Sequence, residues 1–349
     1  MRKIPCYLYK EYLDFVYPEE YSALYGHARP YVSDLLLRDT DGNLYPHPEF
    51  FTQVSPEQAE VYIFPHDIGI INDYFGGEKT TALLKQLPYM QYREKYNIIS
   101  DGGDFSRCVN MQVCLLKRSI IAEKTDYLPS IPFVIQHNTH DQPYCIVTWY
   151  NIPEHVCGDK PDINFASLRY DVSFVGRYSH YIREVACKSA EREEKLSFYN
   201  GGFDKIIIKG NYFFNKELSY EDKLKHERQF RNITKASLTV LCPPGVGPQS
   251  ARMYECLYYG RIPVLFLHDI RYPLEHIINY EDFCLFIDKE DIIRTGEIVR
   301  DFIMKHSREE LHQKCILARK THVQYFRNED RVKHIARLTV QYLDALRQG

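Results

Sequence analysis

The chain has 349 residues, of which 44% are hydrophobic and 26% charged, and a formal net charge of −3. That length suits two domains better than one core, and the composition is that of an ordinary globular protein. The lack of positive charge argues against a nucleic-acid partner, and no run approaches the roughly 18 apolar residues of a transmembrane segment.

At the N-terminus, Lys10, Glu11 and Asp14 interrupt the apolar residues that a signal peptide would need. A cytoplasmic protein is the expectation. In chain order, short β-branched or aromatic runs predict strands over 6–9, 61–64, 98–99, 133–135 and 146–148, with a helix over 80–87. Asp39-Thr40-Asp41 invites comparison with a D-x-D metal motif. It continues into Gly42-Asn43, however, which is turn chemistry, so a turn and no catalytic metal are expected. The stretch 151–164, with Pro153, Gly158 and Pro161 and no periodicity, reads as a linker. A second series follows: strand 172–175, helix 179–198, strand 205–209, helix 221–230, strand 238–241, helix 249–259, strand 262–267 and helices over 291–347. Strands alternating with helices predict an α/β fold with parallel sheets.

The ten cysteines show no C-x-x-C and no clustering with histidine, which predicts free buried thiols and no zinc site. The 29 tyrosines suit either sugar-stacking surfaces or core positions.

The densest chemistry lies over 237–269. Two buried-strand runs flank a loop containing Pro243, Pro244, Gly245, Gly247 and Pro248; Ser250 then offers a hydroxyl at a helix start, and Gly260 stops that helix. A helix start at the carboxyl end of a parallel strand suits a phosphate. Arg252 and Glu255 share a helix face and form a workable clamp for a diphosphate and ribose hydroxyls, or else a solvated intrahelical pair.

These residues resemble the exostosin-like glycosyltransferases, family 47. Pro243, Gly245, Ser250, Arg252, Glu255, Gly260, Ile262-Pro263-Val264 and Asp269 are similar to that family's P-x-G, S-x-R-x-x-E, G-C-I-P-V-I and D elements. Pro56 to Pro65, PEQAEVYIFP, resembles its early P-E-E-A-D-x-F-F-V-P element. Asn97 to Asp104 resembles the strand ending in H-D-W-G, here without the His, and DVSFVGRYSHYIR from Asp171 resembles the F-x-G element with its later Arg183. Tyr280 to Asp291 is similar to the W-x-x-F-S-V-x-V-x-E-x-D-I element.

The resemblance implies the GT-B architecture, two Rossmann-like α/β domains facing a central cleft. The expected division is an acceptor-side domain over 1–155, a nucleotide-sugar-binding domain over 165–320, and a C-terminal helix over 321–349 that either crosses back onto the first domain or stays on the second. It also implies an inverting, metal-independent transferase that moves a sugar from a nucleotide sugar, expected to be UDP-linked, to a glycan acceptor, with no further cofactor. A sugar phosphorylase or epimerase, or a non-catalytic nucleotide- or glycan-binding protein, is the alternative.

Such a reaction needs a base and a cationic or dipolar site for the departing diphosphate. Asp101 and Asp104, at the family's H-D position, and His66 and Asp67, after the strand over 61–64, are the candidate bases; both sites also read as turns or caps. His137 and His140 read as a polar loop. Gly176 and Arg177, ending the FVG strand, join Arg183, Pro243, Gly245, Gly247, Ser250, Arg252 and Glu255 as candidate nucleotide-sugar contacts, while Arg177 or Arg183 pairing with Glu184 or Glu191 is the bland reading.

Overall fold

A computed structural model describes residues 2–13, 32–69, 72, 76–90, 93–102, 109, 111–118, 125–127, 134–136, 144–152, 161, 163–178, 180–203, 219–245, 247–266 and 270–348. The chain divides into two units. The first comprises Met1–Trp149, Asp269–Ile277 and Asn328–Gly349, and the second Tyr150–His268 and Ile278–Arg327.

Ten strands belong to the first unit among the described residues: β1 (Ile4–Leu8), β2 (Leu36–Arg38), β3 (Leu44–Pro46), β4 (Phe51–Gln53), β5 (Val61–Asp67), β6 (Asn97–Asp101), β7 (Cys114–Lys117), β8 (Thr125–Tyr127), β9 (Val134–Gln136) and β10 (Tyr144–Val147). Eight of them form one sheet in the order β4-β1-β5-β6-β7-β10-β9-β8. Pairing is parallel from β4 to β10 and antiparallel at β9 and β8. The wholly buried β5, β6 and β7 carry the apolar runs expected of strands covered on both faces.

The first core gathers Tyr9, Tyr62, Phe64, Ile99 and Leu115. Tyr62 stacks on Tyr89 at 5.0 Å between ring centroids, and Tyr9 donates from its hydroxyl to Asn97 Oδ1 at 2.7 Å. This part of the tyrosine complement is therefore core, with its hydroxyls satisfied at the edges.

The second unit holds a five-stranded, wholly parallel sheet of β11 (Tyr170–Arg177), β12 (Phe198–Phe203), β13 (Ser237–Cys242), β14 (Ile262–Phe266) and β15 (Leu285–Ile287), in the order β12-β11-β13-β14-β15. Its core joins Phe174, Leu241, Val264, Phe266 and Ile287 to Ile182, Ala186 and Val299. In both units the second parallel strand of the chain lies outside the first and the later ones follow on the other side. The order therefore reverses between β1 and β5 and again between β11 and β13, the positions where doubly wound sheets open a crevice at their carboxyl edge.

Several sequence expectations need correction. The strand read as 61–64 runs on to Asp67, through Pro65. Proline breaks a strand pattern because it donates no ladder hydrogen bond, and the β5–β6 register indeed shifts between Ile63 and Asp67. His66, Asp67 and Asp101 are thus strand residues and not part of the loops that follow.

The helix read as 179–198 spans only Tyr181–Arg192, because Phe198–Phe203 is a strand disguised by Gly201 and Gly202. The strand expected over 205–209, together with Asp104, His137, His140 and Asp269, lies outside the described residues. Asp39 closes the β2–β3 turn by accepting from the backbone N–H groups of Asp41 and Asn43 at 2.9 and 2.8 Å. All eight cysteines among the described residues are buried and free. No helix there is long and apolar enough to cross a membrane.

The last helix, Asn328–Gln348, belongs to the first unit. Its Arg331 is buried, donating from Nε to Trp149 O at 2.8 Å and from Nη1 to Asp34 Oδ1 at 2.6 Å.

Candidate functional site

Three arginines converge at the carboxyl edge of the second sheet, where β11 and β13 part. Arg252, in the first turn of the helix Ala251–Tyr259, lays its guanidinium over the Phe174 ring at 4.8 Å and donates from Nη2 to Val175 O at 2.7 Å. Its Nε and Nη1 are shielded and have no hydrogen-bond partner among the described residues.

Gly176 permits this approach. Its φ is +156°, and a Cβ there would stand 2.5 Å from Arg252 Nη2. Arg183 reaches across from its own helix, donating from Nη1 to Arg177 O at 2.8 Å and from Nε to Pro244 O at 2.9 Å. It therefore ties the loop after β11 to the loop after β13.

Burial, with Arg252 and Arg177 close by, pushes the Arg183 guanidinium down to about 9. Like charges held this close repel, and an anion between them would relieve the repulsion. The two carboxylates nearest in sequence to Arg183 are engaged elsewhere, Glu184 with Lys188 and Glu191 with Asn200.

Glu255, half-buried on the helix that carries Arg252, makes no hydrogen bond among the described residues. Burial pushes its carboxyl up to about 7 against the opposing pull of Arg252. The arrangement is not the solvated ion pair that spacing alone allowed.

Pro243, Gly245 and Gly247 form the loop between β13 and the helix, with Gly245 N–H donating to Gly247 O at 3.1 Å. Ser250 is the N-cap residue, but its hydroxyl makes no capping bond, so the expected side-chain cap is absent. Polar capping groups normally satisfy helix-start N–H groups, so this start is left open to another acceptor. Gly260 ends the helix in the left-handed conformation at φ 62°, ψ 51°. A side chain there would also strike Ile163.

In the first unit the candidate bases separate. Asp101 is fully buried, its Oδ2 accepting from Lys117 Nζ at 2.7 Å and from Asn72 Nδ2 at 3.0 Å. Asp101 is thus held in a buried ion pair at the position where the base was expected. His66 is buried, and its Nε2 donates to Tyr12 O at 2.5 Å, which commits that nitrogen to structure.

Asp67 differs. Its Oδ1 accepts from the backbone N–H groups of Gly69 and Gly102 at 2.7 and 2.8 Å. Burial pushes its carboxyl up to about 6, opposed by Arg118 and by those N–H groups and reinforced by Asp34. Gly102 is required here, since a Cβ would lie 2.4 Å from Asp67 Oδ2 and 2.6 Å from Arg118 Nη2.

Two residues of these sites carried no sequence signal. Asp34 stands in VSDLLL, far from any motif, yet its N–H donates to Ser100 Oγ at 2.8 Å, which sets it beside the strand residue registered with Asp67. Gln249 is a single Gln in the gap between two motif elements, yet it is only 4% exposed. Among the described residues no group of three His, Cys, Asp or Glu side chains is arranged to hold a metal ion.

Residues 209–302 match the exostosin GT47 domain. A probable glucuronosyltransferase of Oryza sativa subsp. japonica is 27% identical over 113 residues, which cover 29% of this chain and 25% of that protein. A probable β-1,4-xylosyltransferase of Arabidopsis thaliana is 27% identical over 125 residues, covering 33% of this chain and 29% of its own. These alignments thus span under a third of the plant relatives' lengths.

Among solved structures, sucrose-phosphate synthase from Thermosynechococcus elongatus superposes with a TM-score of 0.50 at 10% identity, covering 90% of this chain and 88% of that one. That likeness is one of fold, and it identifies the two doubly wound units as the Rossmann-like domains of a GT-B architecture. Residues 209–302 include the loop, helix and strand that carry Arg252, Glu255 and Gly260, and over that stretch the chain is similar to the exostosin GT47 domain.

Proposed function

We propose that this protein transfers a sugar from a UDP-linked donor to a glycan acceptor with inversion at the anomeric carbon. The observation that carries the reading is the arginine trio at the β11/β13 switch point, with Arg252 holding two nitrogens that have no hydrogen-bond partner among the described residues. Guanidinium groups and open helix-start N–H groups suit a diphosphate, and they matter most as charge builds on the leaving group. We assign Glu255, on the same helix, to accept from ribose hydroxyls. The second unit accordingly serves as the donor domain and the first as the acceptor-side domain. The relatives' named activities make UDP-linked xylose and glucuronate the first donors to assay.

In the chemical step the acceptor hydroxyl forms the new bond to the anomeric carbon as the bond to the diphosphate breaks. The hydroxyl proton passes to a base, and the leaving electron pair stays on the diphosphate. Asp67 is the base we assign, because its carboxyl is raised toward neutrality without being consumed by an ion pair. No metal or additional cofactor enters this scheme, and undiminished transfer in EDTA is the expected outcome.

Titration calorimetry with UDP tests the donor site. Arg252→Ala should weaken binding by about 1.5–3 kcal/mol, the range for losing a charge-assisted hydrogen bond. A folded variant with unchanged affinity would remove Arg252 from the site.

A further inference from the structure

Gln249 immediately precedes the helix N-cap and is 4% exposed, yet neither Nε2 nor Oε1 has a hydrogen-bond partner among the described residues. Some other buried orphan atoms belong to side chains whose second polar atom is engaged. Asp34 Oδ1 accepts from Arg331 while Oδ2 is the orphan, and His322 Nδ1 faces Arg319 at 3.3 Å while Nε2 is the orphan. Gln249 is the one carboxamide there with both ends unsatisfied.

A buried amide left this way costs about 1–3 kcal/mol for each unmade group, and native structures rarely tolerate such groups without a reason. An apolar side chain would fill the place at no such cost. The position is also the one where Arg252, three residues on, lacks partners for two nitrogens. The arginines supply all the positive charge the site needs, and a neutral amide adds none. What it offers is a donor and an acceptor side by side.

We propose that Gln249 reads a neutral donor–acceptor edge of the bound nucleotide sugar, either the imide edge of the base or a hydroxyl of the transferred sugar, and so sets donor specificity. This rests on the donor-site reading above. Contact requires the loop after β13 to part slightly from the helix start, an adjustment of the size that binding commonly brings.

The test is calorimetry on the full chain with inorganic pyrophosphate, UDP, UDP-xylose and UDP-glucose, comparing the parent with Gln249→Leu. Affinity should fall about ten- to a hundredfold for the ligands carrying the edge that is read, while pyrophosphate binding holds. A fall for UDP and both sugars assigns the amide to the nucleoside, and a fall for the UDP-sugars alone assigns it to the sugar. Equal losses for pyrophosphate would mean a distorted loop, and affinities all within twofold of the parent would mean an amide served by ordered water; either result overturns the proposal. Gln249→Met, run through the same arms, serves if the leucine variant fails to fold. A parent chain that binds none of these probes refutes the donor-site reading itself, whereas UDP binding that falls in Arg252→Ala but not in Gln249→Leu refutes only the role of Gln249.

Discussion

The two units share one strand order yet present opposite chemistry at the carboxyl edges of their sheets. In the first, the edge of β5 and β6 carries Asp67 and Asp101, and the buried charge is largely internalised. Asp101 meets Lys117, and Asp34 meets Arg331. In the second, the edge between β11 and β13 gathers Arg177, Arg183 and Arg252, of which Arg183 and Arg252 donate to backbone carbonyls. The same topology thus builds a neutralised edge and a cationic one. Groups fully paired inside the protein belong to its structure, and groups left over are the ones available to a ligand. By that criterion Asp67 and Arg252 separate from Asp101, whose carboxylate is held by Lys117 and Asn72.

The largest effect expected from this contrast is at Asp67. Asp67→Asn keeps the side chain's size and can still accept from Gly69 and Gly102, but it cannot take up a proton. Turnover should fall by about 10²–10⁴-fold, the usual contribution of a general base, with UDP affinity nearly unchanged. Steady-state assays with a working acceptor, paired with calorimetry, check this. Near-normal turnover would place the base elsewhere and erase the distinction drawn between Asp67 and its neighbours.

Asp101→Asn should behave differently, as a stability mutant. Removing one partner of a buried pair strands the Lys117 ammonium, which typically costs about 3–5 kcal/mol. Denaturant unfolding should show the loss, while the fraction that remains folded keeps its UDP affinity. A stable variant with lost turnover would reverse the assignment of structural and catalytic carboxylates.

How far the sequence disclosed these sites depends on how local their signals are. The block from β13 to β14 was legible because strand, loop, helix and stop follow one another within about thirty residues, and Gly260 takes the left-handed conformation that its place after the helix predicts. Arg183 was legible as a residue but not as a tether, since Arg177 O and Pro244 O reach it only when two loops meet. The first unit was harder to read. Pro65 hid the end of β5, and with it the fact that His66 and Asp67 are strand residues. Asp34 joins Ser100 across 66 positions of chain, beyond the reach of any periodicity argument. The ion pair of Asp101 with Lys117 depends on the β6–β7 register, and β7 itself was not read as a strand.

The smallest expected effect is also the most specific, a shift in the pH dependence conferred by Asp34. The groups facing Asp67 are Asp34, Arg118 and the N–H groups of Gly69 and Gly102, with Arg331 acting through Asp34. Burial and Asp34 together hold the Asp67 carboxyl near 6, so the base is competent only above that pH, and kcat/KM should decline on the acid side with a midpoint near 6. Asp34→Asn removes a neighbouring negative charge, which makes ionisation easier and moves that limb to lower pH, by less than about one unit for a contributor that ranks after burial. The stability linkage has the opposite sign from that of a salt-bridged carboxylate. Because the folded state holds this proton more tightly than the unfolded chain, whose carboxyl titrates near about 3.9, the Asp67 contribution to stability declines as pH rises from about 4 to 6. Asp34→Asn should narrow that window from its upper end. A pH–rate profile that stays fixed in a folded Asp34→Asn variant would show that Asp34 does not act on the base, leaving its bond to Arg331 as an anchor for the last helix.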